Sequence, residues 1–86
     1  MSAIASNLKE VWDVVNALGG IEGWQQDPAR ISVHDYDYSI TFSKANQVVR
    51  MKVDDFLLRL EDADQRRRYA EAALIQARIV AEVMAR

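Results

Sequence analysis

The stretch from Val53 to Arg86 keeps a helical period almost throughout, and its length constrains everything before it. Apolar or small residues recur at Phe56, Leu60, Ala63, Ala70, Leu74, Ala77, Ala81 and Met84, interrupted by Arg67, a spacing that holds one stripe on one helix face. A continuous helix from Asp55 to Ala85 is roughly 46 Å long at 1.5 Å rise per residue. A compact domain of this size has a radius of gyration near 12 Å and hence a diameter of roughly 31 Å. Two outcomes follow. The helix breaks near Glu61 to Asp64, where Asp62 can cap a new start with Gln65 at its third position, or its end projects and a second subunit buries it. The stripe stays in phase across Ala63, which favours continuity.

From the middle of that stretch a second apolar set, Ala72, Ile75, Ile79 and Val83, lies beside the first. The polar band shrinks to Glu71, Gln76, Arg78 and Glu82, so more of the helix is apolar than one neighbouring layer covers. The expectation is a homodimer through Ala70, Leu74, Ala77, Val80, Ala81 and Met84, whose alanines let a second helix approach closely. The competing expectation is that a break lets this half fold back and become the monomer's own core.

Upstream, a helix is expected over Ala3 to Leu18, with a core stripe of Ile4, Leu8, Val11, Val15 and Leu18 widened by Trp12 and Val14. Lys9, Glu10, Asp13 and Asn16 face water. Ser2 or Asn7 is the candidate N-cap, the latter with Glu10 as a capping box, and Gly19 stands where a left-handed C-terminal residue is wanted. Ile21 to Arg30 then reads as an irregular connector turning at Asp27-Pro28.

Between Ile31 and Val53 the period switches to two. Ile31 and Val33 share one parity and Tyr36, Tyr38, Ile40 and Phe42 the other, which predicts a bulge or turn around His34-Asp35. Placing Phe42 beside Val49, Ile40 beside Met51 and Tyr38 beside Val53 fixes a hairpin register, with Lys44 to Gln47 as a four-residue connection. Ile31 to His34 supplies a short third strand, because two strands alone are marginal. Ser39, Thr41, Ser43, Val48, Arg50 and Lys52 form the outer face. The expected fold is therefore one α+β domain spanning residues 1–86. It comprises an N-terminal helix, a β-hairpin or three-stranded antiparallel meander, and a long C-terminal helix, with the helices on one face of the sheet.

Chemistry-bearing motifs are sparse. The net charge of −2 supplies no basic field for nucleic acid, and the absence of cysteine removes disulfides and thiolate metal sites. Asp35 and Asp37 place two carboxylates on one side of an extended segment, but a metal site needs further ligands that no spacing provides. His34 beside Asp35 lacks a neighbouring nucleophile. Arg66-Arg67-Arg68 fans out on a helix, with Asp62, Asp64 and Glu71 placed to pair with Arg66, Arg68 and Arg67 respectively; Arg67, lying in the apolar stripe, is also a candidate to meet an acid on a partner. No catalytic residues, metal or cofactor are expected. No secretory leader or membrane span is apparent, so a cytoplasmic location is expected.

The expected function is a non-enzymatic protein-protein interaction module, acting by surface contact as a homo-oligomer, of the kind that serves as a small bacterial or phage regulator or inhibitor. Candidate partner-facing residues are Trp24, His34, Tyr36, Arg50 and Lys52, although a loop tryptophan in a chain this small more commonly plugs the end of the core. Two alternatives belong to other classes. One is a nucleic-acid binder using Arg50, Lys52 and the arginine run; the other is a small-ligand or nucleotide binder with its pocket at a subunit interface.

Overall fold

The computed structural model describes residues 3–28, 30–31 and 38–86, and the side chains of these except at 3–5 and 30–31. The order is helix α1 (Ala3–Ala17), strands β1 (Gln25–Gln26), β2 (Arg30–Ile31), β3 (Tyr38–Lys44) and β4 (Gln47–Val53), then helices α2 (Asp55–Arg59) and α3 (Ala63–Met84). This is the expected α+β architecture. α3 lies against β4, α1 packs beside α3, and α2 bridges the two helices.

The hairpin register is the one the alternation predicts: Tyr38 pairs with Val53, Ile40 with Met51 and Phe42 with Val49. All six of these side chains are buried, while Arg50 and Lys52 on the opposite face are exposed. The connection differs from expectation. Lys44 pairs with Gln47, so the turn is two residues, Ala45-Asn46, and Ala45 takes φ 53°. A two-residue hairpin whose first central residue has positive φ preserves the same side-chain parity, so a longer loop was unnecessary.

β1 and β2 both pair antiparallel with β3 on the edge away from β4 and together act as one interrupted third strand. Part of the supposed connector is thus strand. Gln26 pairs with Phe42 and Arg30 with Ser39, so the edge takes one more residue than β3 over the same span. The register slip falls beside Pro28, which lacks a ladder donor and is tolerated on an edge. The bulge expected at His34-Asp35 lies outside the described residues.

α1 ends in a Schellman arrangement: the Gly20 amide donates to the Val15 carbonyl and the Gly19 amide to the Asn16 carbonyl, both at 3.0 Å, with Gly19 at φ 87°. Gly20 also has positive φ, and a Cβ there would meet Phe42 Cε1 at 3.2 Å. Leu8, Val11 and Val15 are buried as expected, but Leu18 is 37% exposed because the left-handed turn lifts it off the core. Asn7 is not a cap. The helix begins upstream of it, and its side chain donates to the Leu58 carbonyl at 2.7 Å.

The C-terminal stretch is broken, contrary to the continuity its phase suggested. Asp62 caps α3, accepting at Oδ1 from the amides of Asp64 and Gln65 at 2.8 and 3.4 Å. Asp54 occupies the cap position of α2 without a side-chain bond. The break resets the phase: Leu57 and Leu58 turn inward, while Phe56, expected in the stripe, is 63% exposed. Its physical reason is size. A helix the length of α3 is already about 33 Å long, and the molecule measures 39 × 28 × 17 Å with a radius of gyration of 12.5 Å.

Candidate interaction site

α3 turns its small residues inward. Ala70, Leu74, Ala77 and Ala81 are buried within the monomer's own core, and Ala73 and Met84 are partly buried against it. This corrects the expected dimer interface, because four of its six residues are consumed by packing on β4 and α1. Alanines at those positions let the helix lie close to the sheet. The bulky residues go the other way: Ile75, Ile79, Val80 and Val83 are each about half exposed, at 56, 55, 49 and 59%.

One side of this exposed strip runs into a groove of about 470 Å³ between β4 and α3. Its walls include Met51, Val53, Ala73 and Val80, with Arg50 and Lys52 on the strand side. Phe56 and Tyr69 close one end in an edge-to-face pair, ring centroids 6.1 Å apart at 88°. Tyr69 is 52% exposed, so both rings present apolar area outward. Aromatic pairs of this kind on a rigid support are what interface anchors are made of. The sequence singled out neither ring as a site, since Phe56 was assigned to the core and Tyr69 to no role.

Trp24 is half-buried and packs against the core, and the Lys44 ammonium sits 6.0 Å from its ring centroid. The other tryptophan is fixed by its indole, which donates to the Asp27 carbonyl at 2.8 Å. His34 and Tyr36 lie outside the described residues. Of the sequence-derived partner-facing residues, the structure brings together Arg50 and Lys52, on the same strand and the same face.

The three arginines of the run are placed differently. Arg66 is drawn inward, donating to Glu10 at 2.9 Å and to the Leu60 carbonyl, and its side chain is only 12% exposed. Glu10, expected to face water, is half-buried by that pair. Arg67 is exposed and meets Glu71 at 3.2 Å, as the helical spacing predicts. Arg68 is exposed. A second open groove, near Trp24, contains Lys44 and Arg78 alongside Glu22 and Glu82. Its arginine is already engaged: Arg78 donates to the carbonyls of Gly20 and Leu18 at 2.8 and 2.9 Å, capping the C-terminus of α1.

Among the described residues no three acidic or histidine side chains gather where a metal would need them, and no helix is long and apolar enough to cross a membrane. The Arg59 guanidinium is held above its ordinary pKa by its hydrogen bond to Asp55, reinforced by that carboxylate's charge. A raised basic pKa contributes stability below the unfolded value and loses it only as pH climbs through the folded one. For an arginine both lie beyond working pH, so this pair is no switch. Comparison of the chain with protein-family models, with curated proteins and with solved structures finds no match.

Proposed function

We propose that this chain is a non-enzymatic protein-interaction module that works as a homodimer, with the outer side of α3 as the self-association surface. The observation that carries the reading is the inverted distribution of side chains on α3. Alanines occupy the sheet-facing positions, and Ile75, Ile79 and Val83 face solvent. Branched apolar residues are normally the ones buried, and fully covering each contributes about 1.5–3 kcal/mol. The strip is also uncharged along its centre, so a second copy meets it without like-charge repulsion, and an isologous contact is the commonest closure of such a patch.

The arginine run does not favour a nucleic-acid partner, because Arg66 and Arg67 already have acidic partners and, among the described residues, the outer sheet face offers Arg50 and Lys52 without exposed aromatic rings. Light scattering behind size exclusion at tens of micromolar tests the proposal. The wild type is expected at dimer mass and Ile79→Arg at monomer mass with an unchanged circular dichroism spectrum. A wild-type monomer, or a dimer indifferent to Ile79→Arg, overturns it.

A further inference from the structure

Among the described residues the sheet has one interrupted edge, β1 with β2, and one straight edge, β4. Thr41 pairs with Arg50 across the hairpin, yet its carbonyl accepts from the Asp27 amide at 2.7 Å on the opposite side. In an antiparallel ladder, two residues facing one another direct their backbone groups either toward each other or both away. The amide and carbonyl of Arg50, and by alternation those of Val48 and Lys52, therefore point out from β4. Among the described residues no strand pairs there.

The side chains beside this edge are sorted by face. Arg50 and Lys52 stand exposed on the outer face, whereas Met51 and Val53 on the inner face border the apolar groove, with Tyr69 and Val80 across it. A strand added to β4 continues the pleat, so every second side chain lands beside the two cations and those between lie over the groove. Asp54 is the one acid on the groove's lining and lies just beyond the strand.

We propose that the β4 edge captures an extended segment of a partner protein in which acidic and apolar residues alternate. The segment would take the free backbone groups of Val48, Arg50 and Lys52, set its carboxylates against Arg50 and Lys52, and place its apolar side chains in the groove. A second copy of this chain is disfavoured in the fully overlapping antiparallel register and in one of its two neighbours. Two β4 strands centred on Arg50 or on Met51 oppose cation to cation, and like charges directly across a ladder destabilise it. The site is centred on β4 and adjoins the Ile75, Ile79 and Val83 strip of α3 only at Val80.

The test uses a fluorescein-labelled peptide of alternating Glu and Val, about eight residues long to match a strand. Binding is followed by anisotropy and by amide exchange of the full chain, in wild type and in Ile79→Arg. The expected result is binding in both proteins, with slowed exchange at Val48, Arg50 and Lys52. A Lys-Val peptide and a backbone N-methylated Glu-Val peptide are expected not to bind. Arg50→Glu with Lys52→Glu should weaken the Glu-Val peptide by roughly tenfold or more and admit the Lys-Val peptide. Should that variant not fold, the two control peptides on wild type still decide.

The proposal is overturned by absence of binding at millimolar peptide, by equal binding of the Lys-Val or N-methylated peptide, or by unchanged exchange at the three amides. Binding lost in Ile79→Arg would place the peptide on α3 instead. Protection of those amides that rises with protein concentration in the absence of peptide would assign the edge to a second copy.

Discussion

Arg66 and Glu10 form an ion pair whose two halves differ in access to water, and substituting them separately should cost unequal amounts. The Arg66 side chain is 12% exposed and that of Glu10 39%, with 2.9 Å between Nη2 and Oε2. Arg66 Nε is buried with no partner among the described residues. Glu10→Ala strands a largely buried cation. Breaking a fully buried pair costs about 3–5 kcal/mol, and the partial exposure of this one lowers the expected loss to about 2–3 kcal/mol. Arg66→Met leaves a carboxylate that water already reaches, keeps most of the stem's packing and removes the orphaned N–H, itself a burden of about 1–3 kcal/mol. Against that stands the Leu60 carbonyl left without its donor, so the net is about 0–1 kcal/mol. A domain of this length is stable by about 4–13 kcal/mol in all, so the difference is measurable. With a urea m-value of about 1 kcal/mol/M, Glu10→Ala should lower the unfolding midpoint by about 2–3 M and Arg66→Met by about 1 M or less. Equal losses, or a larger loss for Arg66→Met, would show that burial does not govern this pair.

Two further perturbations test the turns that set the architecture. Asp62→Ala removes the cap of α3 and should cost about 1 kcal/mol, seen as a fall in Tm of about 4–8 °C; no change would mean that the two backbone bonds contribute nothing. Ala45→Gly should raise stability by about 0.5–1 kcal/mol, because the left-handed strain of about 1–2 kcal/mol exceeds the added unfolded-state entropy of about 0.4–1 kcal/mol; a lower Tm in a thermal melt would refute the strain at φ 53°.

Much of this fold is legible in the sequence, for reasons that can be named residue by residue. The pairing of Tyr38, Ile40 and Phe42 with Val53, Met51 and Val49 follows from alternation alone, since a slip of one residue would expose the whole face. Gly19 announced the end of α1 because few other residues take its φ. β1 was invisible: Gln25 and Gln26 join the sheet through backbone bonds and carry no apolar period. The break before Ala63 was legible as chain length and as the Asp62 cap, but the stripe's phase argued the other way. The link from Glu10 to Arg66 spans 56 positions and leaves no local trace. On α3 both faces are apolar, so periodicity could not say which met the sheet; the answer lay in side-chain size, with alanines admitted where the backbones approach. That choice also decided the candidate site, moving it from Ala70, Ala77 and Ala81 to Ile75, Ile79 and Val83.

The register slip between Gln26 and Arg30 bears on how copies of this chain can be arranged in a crowd. Head-to-tail stacking, in which β4 of one molecule joins the opposite sheet edge of the next, is a heterologous contact and runs on as a filament wherever its rotation does not close. That joint needs two straight edges of matching length. Among the described residues the far edge is two fragments of two residues out of step with each other, with Pro28 between them, and neither matches the seven residues of β4. The one-residue step in the backbone thereby makes the two sides of the sheet unequal as templates, one a straight run and the other stepped where it is described.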